Sequence, residues 1–172
     1  ALLADGVSKD ELYPLDIDRA FASLTKIRDD IVKFWESGAQ SAQLMADNET
    51  VMGVAWNGRI ATLEDQGVPV AIQWNGAMLG IDNWAVLKGA PNAENAQKFM
   101  AFATMAAPQA RLSMLIPYGF VNAAAAELIP AERRSRLPTA PEYADKVFIS
   151  NAEWWSENLQ AATEAWNTWA IS

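Results

Sequence analysis

The sequence predicts an α/β fold, and three observations carry that prediction. Short apolar runs end at Asn-Gly pairs, as buried strands closed by turns do: Val51–Trp56 runs into Asn57-Gly58, and Val70–Trp74 into Asn75-Gly76. Longer stretches repeat their apolar residues at helical spacing. The two patterns alternate along the chain, the arrangement in which helices and strands cover one another in layers.

The first predicted helix is Ile17–Glu36. Ala20, Phe21, Leu24, Ile27, Ile31, Phe34 and Trp35 recur about a turn apart, with Asp16 as cap and Gly38 as stop. Ser41–Ala46 reads as a short helix, Val51–Trp56 as a buried strand, and Asn57–Gln66 as a helix ended by Gly67. Val70–Trp74 and Met78–Leu87 read as strands on either side of the Asn75-Gly76 turn. A helix follows over about Ala93–Met105. Pro108 then forces a break or a fresh start, because proline lacks the amide that a helix interior needs. The next piece carries Ala110, Leu112, Met114 and Leu115, followed by a loop over Ile116–Asn122, a short Ala-rich helix, and punctuation by Pro130, Pro138 and Pro141. In the last helix Ser150 and Glu153 stand as a capping box, and Trp155, Leu159, Ala162, Trp166 and Trp169 line one face. There is no internal repeat, low-complexity tract or obvious linker.

Composition removes several function classes. A chain of 172 residues can bury an ordinary core, and 51% hydrophobic with 20% charged residues is the usual globular mixture. A net charge of -8 argues against nucleic acid as a partner, since phosphates need a basic footprint, and disfavours an acidic membrane surface. The absence of Cys and His excludes thiolate chemistry, His-based triads and most zinc sites. Freedom from Cys fits an oxidising compartment and the cytosol alike. No stretch reaches the roughly 18 apolar residues of a membrane span, and no signal peptide is present. The chain opens Ala1-Leu2-Leu3-Ala4-Asp5-Gly6 without Met or a cap, as a chain beginning inside an element would, or one with a processed N-terminus.

Few residues offer chemistry. Glu64-Asp65 and Asp29-Asp30 are neighbours on predicted helices and point in different directions, so they read as solvated faces rather than acid–base pairs. Gly76–Gly80 has neither the phosphate-loop Lys nor the dinucleotide glycine spacing, so the sequence calls for no cofactor. Arg133-Arg134-Ser135-Arg136 reads as a solvated helix face, and no nucleophile has a visible base; the chain is not expected to be an enzyme. Aromatic residues are the richer signal. Trp35, Trp166 and Trp169 lie on helix stripes and read as core. Trp56 ends a strand, where α/β sheets present ligand contacts; it either faces a ligand or plugs the strand–helix corner. Asp82 lies in an apolar strand pair and needs a partner such as a cationic ligand, unless it is a solvated turn residue. Tyr118 sits in a Pro/Gly loop, where its ring faces a cleft or packs.

Four motifs in order, Gly53-Val54-Ala55-Trp56-Asn57-Gly58, Gly80-Ile81-Asp82-Asn83-Trp84-Ala85-Val86, Gly119-Phe120-Val121-Asn122-Ala123-Ala124 and Glu153-Trp154-Trp155, resemble the spermidine/putrescine-binding proteins of bacterial ABC importers. The resemblance implies the C-terminal half of a two-lobed periplasmic-binding-protein fold of type II-like architecture, incomplete without an N-terminal half. It implies that residues 1–80 and 127–172 belong to the second lobe and that 81–126 cross to the first. By the same resemblance Trp56 packs on a ligand's methylenes or ammonium, Asp82 pairs with an ammonium, and Tyr118 closes on the ligand. Two departures reshape the pocket: Gly80 stands where the spermidine binder has an aromatic, and Trp155 where it has an amide.

The expected function is a periplasmic carrier that delivers a small amine, such as putrescine or spermidine, to an ABC permease. An ω-amino acid such as γ-aminobutyrate is the alternative ligand, its carboxylate taken by Arg59 unless that residue is merely solvated. A reading of another class is an interaction domain whose exposed Trp residues form a protein interface.

Overall fold

The computed structural model describes residues 1–171, which form two compact units: Ala1–Phe34 with the chain from Phe148 onward, and Trp35–Val147.

In the first unit α1 spans Ile17–Thr25, and the Asp16 carboxylate accepts from the Arg19 amide at 3.0 Å, as its capping position requires. The helix predicted to reach Glu36 ends eleven residues early. A single 3₁₀ turn, Arg28–Asp30, follows, and Ile31–Glu36 is irregular. The aromatic contacts explain the break. Phe21 stacks on Trp169 with centroids 5.5 Å apart, and Phe34 meets the same indole at 5.8 Å and Trp166 at 5.1 Å. A straight helix would hold Phe21 and Phe34 about 20 Å apart, so both rings reach one indole only if the chain folds back.

After the short strand β2 (Phe148–Ile149), helix α7 spans Ala152–Ile171. Its cap is Asn151, whose Oδ1 accepts from the Trp154 amide at 3.0 Å, so the predicted Ser150–Glu153 box is out of register by one residue. At its far end Arg28 donates to the carbonyls of Trp169 and Ala170, each at 2.9 Å, and lies 4.6 Å from the Trp169 ring centroid. Asp5 joins the opening turns to α1 through Arg19 and Lys26, both at 2.7 Å.

In the second unit α2 spans Gly38–Ala46, three residues longer than predicted because Ser37, not a later residue, supplies the cap to the Gln40 amide. Gly38 therefore starts a helix rather than stopping one. Helix α3 (Asn57–Asp65) packs on α2 and buries Ile60 and Ala61, and Gly67 ends it at φ +82°. Between them Val51–Trp56 is not a buried strand. It joins no ladder among the described residues, and Val51, Met52 and Val54 are exposed, Val51 completely.

Val70–Trp74 alternates half-buried and exposed positions, as a strand does, without being one. The Asn75-Gly76 turn is present, closed by the Ala77 amide on the Trp74 carbonyl at 3.0 Å with Gly76 at φ +80°. Strand β1 is only Met78–Leu79, and Ile81, Trp84 and Leu87 beyond it are exposed. Helices α4 (Ala93–Ala103) and α5 (Ala106–Leu115) divide where expected. Pro108 is the third residue of α5, where its missing amide costs no helical bond.

The Ala-rich segment is a 3₁₀ helix, Ala123–Leu128, and α6 is Ala131–Arg134. Ala110, Ala125, Ile129 and Leu137 form the core here, with Ala106 and Phe120 packed on it. The arginine cluster is not a solvated face. Arg133 donates to the Ser113 carbonyl at 2.8 Å and Arg134 to that of Ala126 at 2.9 Å, while Arg136 pairs with Asp65 at 2.8 Å and Glu64 at 3.2 Å. Glu64 and Asp65 are thereby engaged as well.

Candidate functional site

The first turn of α3 gathers three of the residues singled out by the sequence. Trp56 occupies the position before it in extended backbone, φ −73° and ψ 127°, and its side chain offers no cap. The indole is 54% exposed, so it does not plug the strand–helix corner. One face lies against Gly38 at the start of α2. Trp35 meets it edge-on at 6.1 Å, and the Trp35 Nε1 donates to the Val54 carbonyl at 2.8 Å. Trp35, read from sequence as a helix-stripe core residue, instead holds the segment that carries Trp56.

Tyr118 reaches the same turn through its loop. The Asn57 amide donates to the Pro117 carbonyl at 2.6 Å, and the buried Ser113 hydroxyl to the Tyr118 carbonyl at 2.9 Å. These bonds hold the Tyr118 ring over Gly58 with part of it facing solvent. Arg59 follows within the turn. It is exposed, and its guanidinium makes no hydrogen bond or ion pair among the described residues. Arg19, Arg28, Arg133, Arg134 and Arg136 are all committed to carbonyls or carboxylates, and among the described residues Arg111, on α5, is the other arginine without such a partner.

The remaining two candidates stand elsewhere. Asp82 lies in the extended segment after β1, exposed and without an ion-pair or hydrogen-bond partner among the described residues; no such contact ties it to Trp56 or Tyr118. Trp155 belongs to the first unit, where its Nε1 donates to the Tyr13 hydroxyl at 3.0 Å and Trp154 meets it edge-on at 4.9 Å. A solvent-open cleft of about 300 Å³ beside it is lined by Tyr13, Asn151, Glu153, Trp154 and Glu157. Among the described residues no His, Cys, Asp and Glu group could hold a metal ion, and no helix is long and apolar enough to cross a membrane. The supporting roles of Gly38, Asn57 and Ser113 escaped the sequence reading. Only Gly38 carried a signal, its place directly after the capping Ser37.

The family model for bacterial extracellular solute-binding proteins matches residues 1–139. The chain belongs to that family. It is 40% identical over 175 residues to the gamma-aminobutyric acid-binding protein of Pseudomonas aeruginosa, covering 99% of this chain and 49% of the relative. An ABC transporter substrate-binding protein from Bradyrhizobium japonicum matches at 41% identity with a TM-score of 0.89, over 98% of this chain and 53% of that one. The Atu4243-GABA receptor matches at 36% identity and a TM-score of 0.82, over 98% and 52%.

The chain thus spans about half the length of the relatives it matches, and it carries part of the periplasmic-binding-protein fold in a helix-rich form. The matched relatives widen the resemblance seen in the sequence: they are γ-aminobutyrate-binding and ABC substrate-binding proteins rather than specifically spermidine/putrescine binders.

Proposed function

We propose that the chain forms part of the substrate-binding component of an ABC importer, a carrier without catalysis, and that its ligand is an ω-amino acid of the γ-aminobutyrate type. The observation that carries this reading is the Arg59 guanidinium, uncommitted among the described residues, in the helical turn that follows the partly exposed Trp56 and against whose Gly58 the Tyr118 ring lies. An ω-amino acid brings a carboxylate and an ammonium on one short methylene chain. The carboxylate matches the planar fork of Arg59, and the positive end of the helix adds to the attraction. The methylenes and ammonium match aromatic faces, and Asp82 is a carboxylate with no protein partner to lose.

A diamine is the second reading, favoured by that same free Asp82; against it, Arg59 would repel an ammonium. The γ-aminobutyrate-binding relatives support the first. In this reading an N-terminal half completes the two lobes, and the loaded protein docks on a permease at the periplasmic face of the membrane. Residues 81–126 cross between lobes. Their exposed Ile81, Trp84, Leu87, Leu115 and Val121 are the apolar surface that such a crossing would bury.

Calorimetry on the chain supplied with an N-terminal half tests the proposal. γ-Aminobutyrate is expected to bind more tightly than putrescine. Arg59→Ala should weaken γ-aminobutyrate ten- to hundred-fold, the equivalent of about 1.5–3 kcal/mol for a charged hydrogen bond, and leave putrescine unchanged or tighter. Asp82→Asn should weaken both. A parent that gives no heat with either solute, or an Arg59→Ala variant that binds γ-aminobutyrate as the parent does, refutes it.

A further inference from the structure

The two aromatic rings at the candidate site share a mode of support. Trp56 lies across Gly38, the first residue of α2, and Tyr118 lies across Gly58, the second residue of α3. A methyl group on Gly38 would stand 2.7 Å from Trp56 Cζ3 and 3.1 Å from Cδ2. On Gly58 it would stand 2.8 Å from Tyr118 Cε1 and 3.0 Å from the Ile116 side chain. Both glycines are buried, and both are helical, so neither is required by a left-handed backbone. Within a helix alanine is the better residue on backbone grounds. What remains to explain glycine at each position is the ring above it.

Neighbours restrict how each ring can yield. Trp35 stands against the Trp56 edge, fixed by its bond to Val54, and the Tyr118 backbone is fixed by Ser113 and through Asn57 on Pro117. Each ring keeps a side open to solvent, with Trp56 54% and Tyr118 38% exposed. A methyl beneath either ring must push it outward by about 1 Å to restore ordinary carbon–carbon contact. That is the side on which a ligand would lie.

We propose that Gly38 and Gly58 are positioning residues that set how deeply the Trp56 and Tyr118 rings seat, and so the width left between aromatic walls for a slender methylene chain. The ligand part of this claim rests on the function proposed above; the seating of the rings does not.

The test uses the chain supplied with an N-terminal half and labelled with 5-fluorotryptophan, the Trp56 ¹⁹F resonance being assigned by its loss in Trp56→Phe. Gly38→Ala should shift that resonance without ligand and weaken γ-aminobutyrate about tenfold. The same substitution in a Trp56→Ala background should leave both affinity and melting temperature no lower than in Trp56→Ala alone. Gly58→Ala should behave likewise against Tyr118→Ala combined with Ile116→Ala, because Ile116 also lies 3.0 Å from the added methyl; it is read with fluorotyrosine.

If Gly38→Ala folds only when Trp56 has been shortened, the collision is demonstrated directly. An unmoved Trp56 resonance, or equal damage with and without the Trp56 ring, overturns the proposal, because the glycine would then serve the backbone. If the parent binds neither γ-aminobutyrate nor putrescine while Gly38→Ala still shifts the resonance, the seating stands and only the ligand reading falls.

Discussion

Arg28 should be the strongest single fastener of α7. The last carbonyls of a helix have no partner within it, and here Arg28 takes two of them at once, Trp169 and Ala170, each at 2.9 Å. Its guanidinium also lies 4.6 Å from the Trp169 ring. Arg28→Met keeps most of the apolar stem and deletes the fork. A hydrogen bond from a charged donor contributes about 1.5–3 kcal/mol when buried, but Arg28 is only half-buried and water replaces part of each bond, so about 1 kcal/mol apiece is the reasonable figure. The ring contact adds about 0.5 kcal/mol at an exposed site. The loss should therefore be about 2–3 kcal/mol. Arg28→Lys, a single compact donor that satisfies one carbonyl at a time, should lose about half of that.

The assay is urea unfolding of the chain supplied with an N-terminal half, together with amide exchange in the last turn of α7, which should lose protection before the helix middle. A methionine variant within about 0.5 kcal/mol of the parent refutes the fork as a fastener. A lysine variant equal to the parent would show that positive charge at the helix end suffices.

Asp5 makes the first unit sensitive to acid. Hydrogen bonds from Lys26 and then Arg19 lower its pKa from 3.8 to about 2. A lowered carboxylate pKa stabilises the fold above 3.8 and loses that contribution as pH falls through about 2, so Asp5→Asn should flatten the fall in unfolding midpoint over that window. Arg136→Met breaks contacts to Asp65 and Glu64 that are partly exposed, and denaturation should register a loss of only about 1 kcal/mol. Trp56→Ala should weaken ligand by about 1–2 kcal/mol, roughly five- to thirty-fold by calorimetry, and leave the melt almost unchanged because the ring is half exposed. Expressed alone, the chain should bind a hydrophobic dye through Val51, Met52, Val54, Leu87 and Leu115, and an added N-terminal half should abolish the signal; a dye-silent isolated chain refutes this.

What was legible in the sequence was what neighbours in sequence decide. Asp16, the Asn75-Gly76 turn, Gly67 and the fresh start near Pro108 act within a few residues of themselves, and each stands as read. The register of the Asn151 cap and the start of α2 at Ser37 were misread locally, but the larger errors have distant causes. The helix from Ile17 stops at Thr25 because Phe21 and Phe34 converge on Trp169, a residue far along the chain that no periodicity in the window reveals. The arginine cluster looked solvated because its partners, Ser113, Ala126, Glu64 and Asp65, lie many residues earlier.

The strands are the instructive case. Val51–Trp56 and Met78–Leu87 have apolar strand composition, yet a strand is a relation between segments, and its amides and carbonyls need a neighbour. In this chain, which spans about half the length of its relatives, Val51, Met52, Val54, Ile81, Trp84 and Leu87 of these segments are exposed. The same logic governs the site. The Tyr118 loop lies against the first turn of α3, which Trp56 precedes and Arg59 belongs to, because Asn57 and Ser113, both within this unit, fix it there. Asp82 lies in the exposed segment after β1, and a binding role for it requires that segment to be fixed by a partner. An Asp82→Asn effect on affinity that appears only with the N-terminal half present would separate a carboxylate recruited by assembly from one that is merely solvated.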